Sequence, residues 1–212
     1  MQKVGKVLLW TAIVLVAVGG LLRALLVKGW TVPKDLALAA SVEPTLGGGD
    51  VVLLLTRGSR GFGDLVRCKD PDDPSQYVIG RILGVEGDVV ETKGRNVLVN
   101  GKKYDPIQAC PVRKYKFVHP NTEEEVALDC GVVEMAGGWH YRGHTKTDMS
   151  PTSVRVEVGE GMVFLLSDNI DYHDDSRDFG TLEKASCTER IMFRFVGEAG
   201  WMDEDKRLTY IH

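Results

Sequence analysis

The sequence lacks the cysteine patterns of a metal site. Its four cysteines are Cys68, Cys110, Cys130 and Cys187, and they form no CxxC pair and no zinc-ligand spacing with histidine. We therefore predict no metal site and no cofactor. Cys110 and Cys130 bracket one segment and could form a disulfide in an oxidising compartment, with free buried thiols as the alternative. The sequence does not supply the geometry of the pairing.

The sequence also has few aromatic residues and no excess of positive charge. Aromatic residues make up 8% of the chain, and 26 basic residues face 30 acidic ones, for a formal charge of -4. This balance gives no reason to expect a nucleic acid as partner. Glycine is abundant, at 24 of 212 residues. Together with the scarcity of aromatic residues, this favours a turn-rich, mainly β domain.

Long hydrophobic runs are absent except for one at the N-terminus. Residues 7–27 contain a single charge, Arg23. About 21 helical residues span roughly 31 Å, enough to cross a bilayer core. We predict a short tail over 1–6, a transmembrane helix over 7–28 and a connector over 29–37. A cleaved signal peptide is the alternative, but its apolar region is usually only about 7–15 residues long.

Short apolar segments separated by Gly-Asp turns follow the connector. Their spacing and their valine and isoleucine content predict strands rather than helices. The predicted strands are 50–56, 64–68, 77–85, 88–92, 96–101, 161–169 and 190–196. Asn100-Gly101 predicts a hairpin turn. Polar, irregular residues 103–157 predict an insertion of loops and short strands at the sheet edge, within a domain over 38–200 that is followed by a tail over 201–212.

Several motifs recur in the order in which one known family carries them. Ser41-Val42-Glu43-Pro44-Thr45 resembles the nucleophile box of type I signal peptidases, in which a serine just outside the membrane attacks a peptide bond and a lysine acts as general base. The other matches are Gly49-Asp50, Gly63-Asp64, Arg81 with Gly87-Asp88, Asn100-Gly101, Asp168-Asn169, and Asp175-Ser176-Arg177. The resemblance implies twisted antiparallel sheets, with an apolar substrate groove involving Val42, Ile79 and Ile82.

The compact spacing of residues 70–92 is most similar to the mitochondrial inner membrane protease branch of this family. That resemblance implies a protein of the mitochondrial inner membrane, with its domain in the intermembrane space and other protein subunits as partners. Residues 103–157 are the candidate contact region, since they contain aromatic side chains typical of interfaces. These are Tyr115, Phe117, Trp139, His140 and Tyr141. A self-packed region is the alternative.

The position of the family's lysine is occupied by Gly80, directly before Arg81. A serine hydroxyl needs a nearby base to become an efficient nucleophile. Glycine offers none, and the guanidinium of Arg81 stays protonated. Two further positions depart from the family pattern. Ala39 is at a position where bacterial members often have an oxyanion-binding serine, and Ser167 replaces the glycine before Asp168.

Two functions fit these residues. The first is a catalytically inactive, structural or accessory subunit of a membrane complex. The second is an active peptidase in which Ser41 is the nucleophile and His173 a relocated base, oriented by Asp175 or Asp171. An exposed loop histidine is the plain alternative for His173. The missing base favours the first function.

Overall fold

A computed structural model describes the backbone of residues 2–112, 115–146 and 153–212. The side chains of residues 2–4 and 22–25 are also outside the described set. Three α-helices lie in the described chain: α1 (Gln2–Leu26), α2 (Leu36–Val42) and α3 (Ser176–Phe179). A 3₁₀ turn covers Lys184–Ser186.

The remainder of the described chain is mainly β. The strands are β1 (Val27–Thr31), β2 (Val51–Leu55), β3 (Leu65–Lys69), β4 (Tyr77–Val85), β5 (Val89–Lys93), β6 (Asn96–Val99), β7 (Lys102–Lys103), β8 (Gln108–Ala109), β9 (Tyr115–Val118), β10 (Glu125–Met135), β11 (Gly138–His144), β12 (Ser153–Glu157), β13 (Met162–Leu166), β14 (Leu182–Glu183), β15 (Glu189–Val196) and β16 (Thr209–Tyr210). The predicted mainly β, antiparallel fold class is confirmed.

Within the described residues the strands form three sheets. The central sheet has the order β1-β2-β15-β3-β4-β13-β14, with β16 paired to β15. A second sheet has the order β12-β5-β6-β7, and a third joins β11, β10 and β8, with β9 also paired to β10. Asn100 and Gly101 have φ values of 51° and 75° between β6 and β7. Positive φ at both positions is what a tight hairpin turn requires, so this predicted turn is confirmed.

The predicted insertion at 103–157 is more regular than expected. Besides short strands such as β8 and β9, it contains β10, which extends over 11 residues. Residues 125–128 of β10 pair with β9 and residues 129–135 pair with β11. Residues 153–157 do not belong with this hairpin, because β12 pairs with β5 of another sheet. A local pattern does not reveal the pairing of β12 with β5, because these two strands are distant in sequence. The hairpin of β10 and β11 is local, and its turn at Ala136-Gly137 has positive φ at both positions.

The N-terminal helix differs from the predicted transmembrane segment over 7–28. It begins at Gln2 and ends at Leu26. Val27 and Lys28 instead belong to β1, where they pair with Leu55 and Leu54. No helix in the described part of the chain combines the length and apolar character needed to cross a membrane. The boundaries of tail, helix and connector predicted over 1–37 are corrected accordingly.

Both ends of the β domain are attached to its central sheet. The predicted connector over 29–37 contributes most of β1 and the start of α2, whose N-cap Asp35 accepts a 2.9 Å hydrogen bond from the Leu38 amide. The predicted tail over 201–212 contributes β16, which pairs with β15. Ile211 is buried in the core beneath α2. Neither segment is therefore a free linker.

All four cysteines are paired. Cys110 and Cys130 form a disulfide, as the spacing allowed. Cys68 of β3 and Cys187 form a second one, which links positions 119 residues apart. Two disulfides are typical of a protein that folds in an oxidising compartment.

Candidate functional site

Ser41 lies in the last turn of α2 and is buried, with 1% of its surface exposed. Its Oγ donates a 2.9 Å hydrogen bond to the carbonyl oxygen of Leu38, one turn earlier. Its own carbonyl accepts from the amide of Asn169 at 3.0 Å, and the Asn169 side chain donates to the Ala40 carbonyl at 2.8 Å. The hydroxyl therefore forms its hydrogen bond with the helix backbone. The loop after β13 forms hydrogen bonds with the backbone of Ala40 and Ser41.

The hairpin of β9 and β10 covers the part of α2 next to Ser41. Phe117 and Leu128 bury Ala40, and Tyr115, Val126 and Tyr172 surround this cluster. Leu128 in turn packs against Gly143 of β11, where an added Cβ would lie 2.5 Å from the leucine Cδ2. This close packing contributes to the exclusion of solvent from the turn that contains Ser41.

Gly80 lies in the middle of β4, opposite Val66 of β3. A Cβ at this glycine would be 3.0 Å from Leu165 Cβ and 3.4 Å from the Leu166 carbonyl oxygen. Both neighbours belong to β13, which is bulged between Phe164 and Leu165. The strands have therefore packed around a residue without a side chain, and a lysine at this position would require them to move.

We expect Gly80→Ala to lower the free energy of unfolding by about 1–3 kcal/mol, because the added methyl overpacks a buried strand interface. Gly29→Ala is the matched control, since Gly29 is also in a strand and an added Cβ there meets no atom within 4 Å. Denaturant unfolding of the two variants measures the difference. A loss for Gly80→Ala no larger than that for Gly29→Ala would show that position 80 has room for a side chain.

His173 lies in the loop before α3, where its Nδ1 contacts Asp178 Oδ2 at 2.7 Å. Asp171 binds Arg95 at 2.9 Å, and Asp175 binds Arg177 at 2.7 Å. The structure thus places the ring of His173 against Asp178, while the Ser41 hydroxyl is bonded to α2. It does not bring these residues together as a hydrogen-bonded Ser-His-Asp arrangement in the described chain.

His173 and Asp175 of this loop and Asp178 of α3 have potential ligand atoms within 4.8 Å of one another. The Asp175 carboxylate already accepts hydrogen bonds from Arg177 and from the Ser167 amide. Burial opposes ionisation of Asp175, but the Arg177 guanidinium outweighs it and lowers the pKa. Asp175 therefore caps α3 and anchors the loop, and its oxygens are occupied without a metal.

Arg81 and Asp168 join two of the family-like motifs. Arg81 Nε donates to Asp168 Oδ1 at 3.0 Å and Nη2 to Oδ2 at 2.8 Å, and both side chains are buried. Arg81 Nη1 also donates to the carbonyl oxygens of Gly63 and His212. One guanidinium therefore holds β4, the loop before β3, the end of β13 and the C-terminal segment together.

The other motif residues also have structural contacts. Gly87 has φ +84° and Asp88 accepts from the Val85 amide at 2.9 Å, which closes the turn between β4 and β5. Ser176 Oγ accepts from the Leu165 amide at 2.9 Å. Pro44 packs against Gly143, where an added Cβ would be 2.9 Å from Pro44 Cδ. These contacts give the motif residues a structural role in the fold.

The residues expected in the substrate groove are core residues. Val42 and Ile79 belong to one buried cluster with Leu38 and Leu46, whereas Ile82 belongs to another around Cys68. Each of the three is at most 1% exposed. In this structure they pack against other core residues rather than lining an open surface.

The aromatic side chains of 103–157 divide into two groups. Phe117 and His140 are buried within the domain, while Tyr115 and Tyr141 are half-buried and Trp139 is exposed. Burial and the nearby guanidinium groups of Arg81 and Arg142 lower the pKa of His140 well below its ordinary value, so the ring is neutral at pH 7.

A cavity of about 600 Å³ lies beyond Pro44, on the side where β11 and the C-terminal segment meet. Its lining includes Glu43, Thr45 and His140. Burial raises the pKa of Glu43 to about 7 against the opposing charge of Lys206. From the sequence, Glu43 has no predicted role beyond its place in the nucleophile-box motif. Glu43 precedes Pro44 through a cis peptide bond, and nothing in the sequence around it predicts the cavity.

The chain belongs to the family described as "Signal peptidase, peptidase S26", whose model matches residues 4–196. It is 26% identical to signal peptidase I of Bacillus licheniformis over 194 residues, which cover 88% of each chain. It is also 26% identical to signal peptidase IB of Staphylococcus aureus over 161 residues, or 73% of each chain. A solved signal peptidase I from Enterococcus faecalis aligns with 61% of this chain and 93% of its own, at 23% identity and a TM-score of 0.36. The resemblance is confirmed at the level of the family.

Proposed function

We propose that this signal-peptidase-like protein is catalytically inactive and acts as a structural or accessory subunit of a membrane complex. The observation that carries the proposal is the environment of Ser41. Its hydroxyl is buried and donates to the Leu38 carbonyl, and the family's lysine position is Gly80. A hydroxyl that no base can deprotonate does not become an efficient nucleophile at neutral pH.

The packing at Gly80 supports the same proposal. An absent lysine could be replaced functionally by another residue only if space near Ser41 were open to it. The tight approach of Leu165 to Gly80 and the cover of α2 by Phe117 and Leu128 leave both residues in packed protein.

The alternative is a live peptidase with His173 as a relocated base. One contact favours this alternative: Asn169, four residues before His173, donates a backbone hydrogen bond to the Ser41 carbonyl. The alternative requires His173 to leave Asp178 and the Ser41 hydroxyl to leave Leu38 at the same time. Apo geometry can tighten on substrate binding, so the cleavage experiment below includes a His173 variant.

The membrane is the proposed site of action. Apolar side chains of α1, among them Val7, Leu8, Trp10 and Leu15, are exposed in the folded chain. Such a helix is expected to bury its apolar surface in lipid or in other subunits. The mitochondrial inner membrane with the domain in the intermembrane space remains the proposed location. Its support is the spacing of residues 70–92, and the two disulfides agree with an oxidising compartment.

Precursor cleavage tests the proposal. The purified full chain, Ser41→Ala and His173→Ala are each incubated with a precursor that has small residues before its cut, beside an active signal peptidase as positive control. We expect all three proteins to give the same background rate. Cleavage by the wild type that falls 100-fold or more in both variants would overturn the proposal in favour of the relocated base.

A further inference from the structure

The cavity beside Pro44 contains two buried polar atoms without a partner in the described chain. Glu43 Oε2 and Thr45 Oγ1 accept and donate no hydrogen bond, although both residues line the cavity. A buried polar atom left without a partner costs about 1–3 kcal/mol. Two such atoms in one cavity are therefore sites that ordered water or a ligand with hydrogen-bonding groups would satisfy.

The charges of the cavity favour a cation. Each basic side chain in the lining already has a carboxylate partner: Arg81 with Asp168, Arg194 with Asp50, Lys116 with Glu125, and Lys206 with Glu43. By contrast, Asp203 and Asp205 also line the cavity and form no ion pair among the described residues. Among the described residues of the lining, the charges of these two aspartates are therefore not compensated by an ion pair.

Aromatic rings form a continuous row along the same cavity. The centroids of Tyr115 and Tyr141 are 6.5 Å apart, those of Tyr141 and Trp139 are 5.3 Å apart, and those of Trp139 and His212 are 4.8 Å apart. Tyr210 continues the row at 4.8 Å from His212. Aromatic rings attract alkylammonium groups through their electron-rich faces.

The chain itself shows that the carboxyl group of Glu43 accepts such a group. Lys206 Nζ is 3.6 Å from Glu43 Oε1, at one edge of the cavity. The second oxygen, Oε2, remains without a partner. Because Oε2 is buried, a ligand ammonium binds it without displacing Lys206 once the Glu43 side chain rotates toward the cavity.

We propose that this cavity binds an alkylammonium group of the kind that a lysine side chain of a peptide carries. Glu43 and Thr45 accept its hydrogen bonds, Asp203 and Asp205 compensate its charge, and the row from Tyr115 to Tyr210 packs along its hydrocarbon chain. The site uses neither Ser41 nor Gly80, so it is independent of the proposed loss of catalysis.

Binding should depend on pH, because a cation binds the ionised form of Glu43. The groups that act on Glu43 are Lys206 from the C-terminal segment, Asp50 before β2 and Arg194 of β15, with Tyr115 of β9 nearby. With a pKa of about 7, Glu43 is mostly protonated at pH 6 and mostly ionised at pH 8. Affinity is therefore expected to rise about tenfold between these pH values.

Titration calorimetry with Nα-acetyl-lysine methylamide tests the site, with Nα-acetyl-norleucine methylamide as the neutral control of the same length. A probe of this size is expected to bind with a Kd of about 1 mM at pH 8. Glu43→Gln should weaken binding at least about tenfold and abolish its pH dependence, since a charge-assisted hydrogen bond is lost. Glu91→Gln, the same change in the second sheet, should bind as the wild type does.

Tyr141→Leu provides a second variant, for which we expect binding to weaken about three- to tenfold. Circular dichroism melts establish that each variant is folded. Equal binding of the norleucine probe, wild-type affinity in Glu43→Gln, or no binding of the lysine probe up to about 20 mM would each overturn the proposal.

Discussion

Replacing Arg81 with methionine should lower the free energy of unfolding by about 3–5 kcal/mol, because the change leaves the buried carboxylate of Asp168 without its charge partner. Arg81 and Asp168 are 3% and 2% exposed at their side chains. The variant also removes donors to the carbonyl oxygens of Gly63 and His212. Chemical denaturation of the purified protein measures the loss.

Arg155→Met is the matched control. Arg155 pairs with Glu91 at 2.6 Å, but its side chain is 69% exposed. Exposed pairs contribute only about 0–1 kcal/mol. If Arg81→Met cost no more than Arg155→Met, the Arg81–Asp168 pair would not be the link that holds the motifs together, and the structural interpretation of these motifs would fail.

Removing the disulfide between Cys68 and Cys187 should have a comparable effect. These cysteines are 119 residues apart. Loop-closure entropy for so long a loop corresponds to about 4–5 kcal/mol of stabilisation. We therefore expect the double variant Cys68→Ala/Cys187→Ala to lose about this much free energy of unfolding, or to fail to fold at 37 °C.

The second disulfide provides an internal comparison. Cys110 and Cys130 are only 20 residues apart, which predicts a smaller loss of about 3 kcal/mol for Cys110→Ala/Cys130→Ala. Thiol titration of the denatured, unreduced protein should detect no free thiol. A greater loss for the 110–130 pair, or four titratable thiols in the denatured, unreduced protein, would contradict the account of both bonds.

The central sheet could be predicted from the sequence because its strands are marked locally. Residues 77–85 were predicted as a strand and form β4 with the same bounds. The valine- and isoleucine-rich segment is bounded by turn residues, and Gly87 with Asp88 closes the following turn through φ +84° and a hydrogen bond to Val85. The local sequence pattern and the tertiary structure agree at these positions, so the sequence alone is sufficient to predict this strand.

The pairing of distant segments could not be predicted in this way. Nothing near Cys68 in the sequence identifies Cys187 as its partner, and nothing near β12 identifies β5 as the strand with which it pairs. The apolar run at the N-terminus predicted its helix but not its end. Val27 is as apolar as the residues before it, and only its pairing with Leu55 explains why it forms a strand.

The surroundings of the candidate site could not be predicted for the same reason. The motif predicts only the positions, with Ser41 as the nucleophile position and Gly80 as the lysine position. Ala40, the neighbour of Ser41, is buried against Phe117 and Leu128, which are more than 70 positions away in the chain. The cavity at Glu43 needs the C-terminal segment around Lys206. Both features arise from long-range packing and have no local signature.

Acylation of Ser41 is the measurement that tests the central claim most directly, because a covalent adduct requires a deprotonated attacking oxygen whether or not turnover follows. The full chain is mixed with excess precursor peptide, quenched in acid and digested, and the fragment containing Ser41 is weighed by mass spectrometry. We predict that this fragment keeps its unmodified mass at neutral pH. An added mass equal to the acyl half of the peptide, absent from the Ser41→Ala protein, would contradict the account.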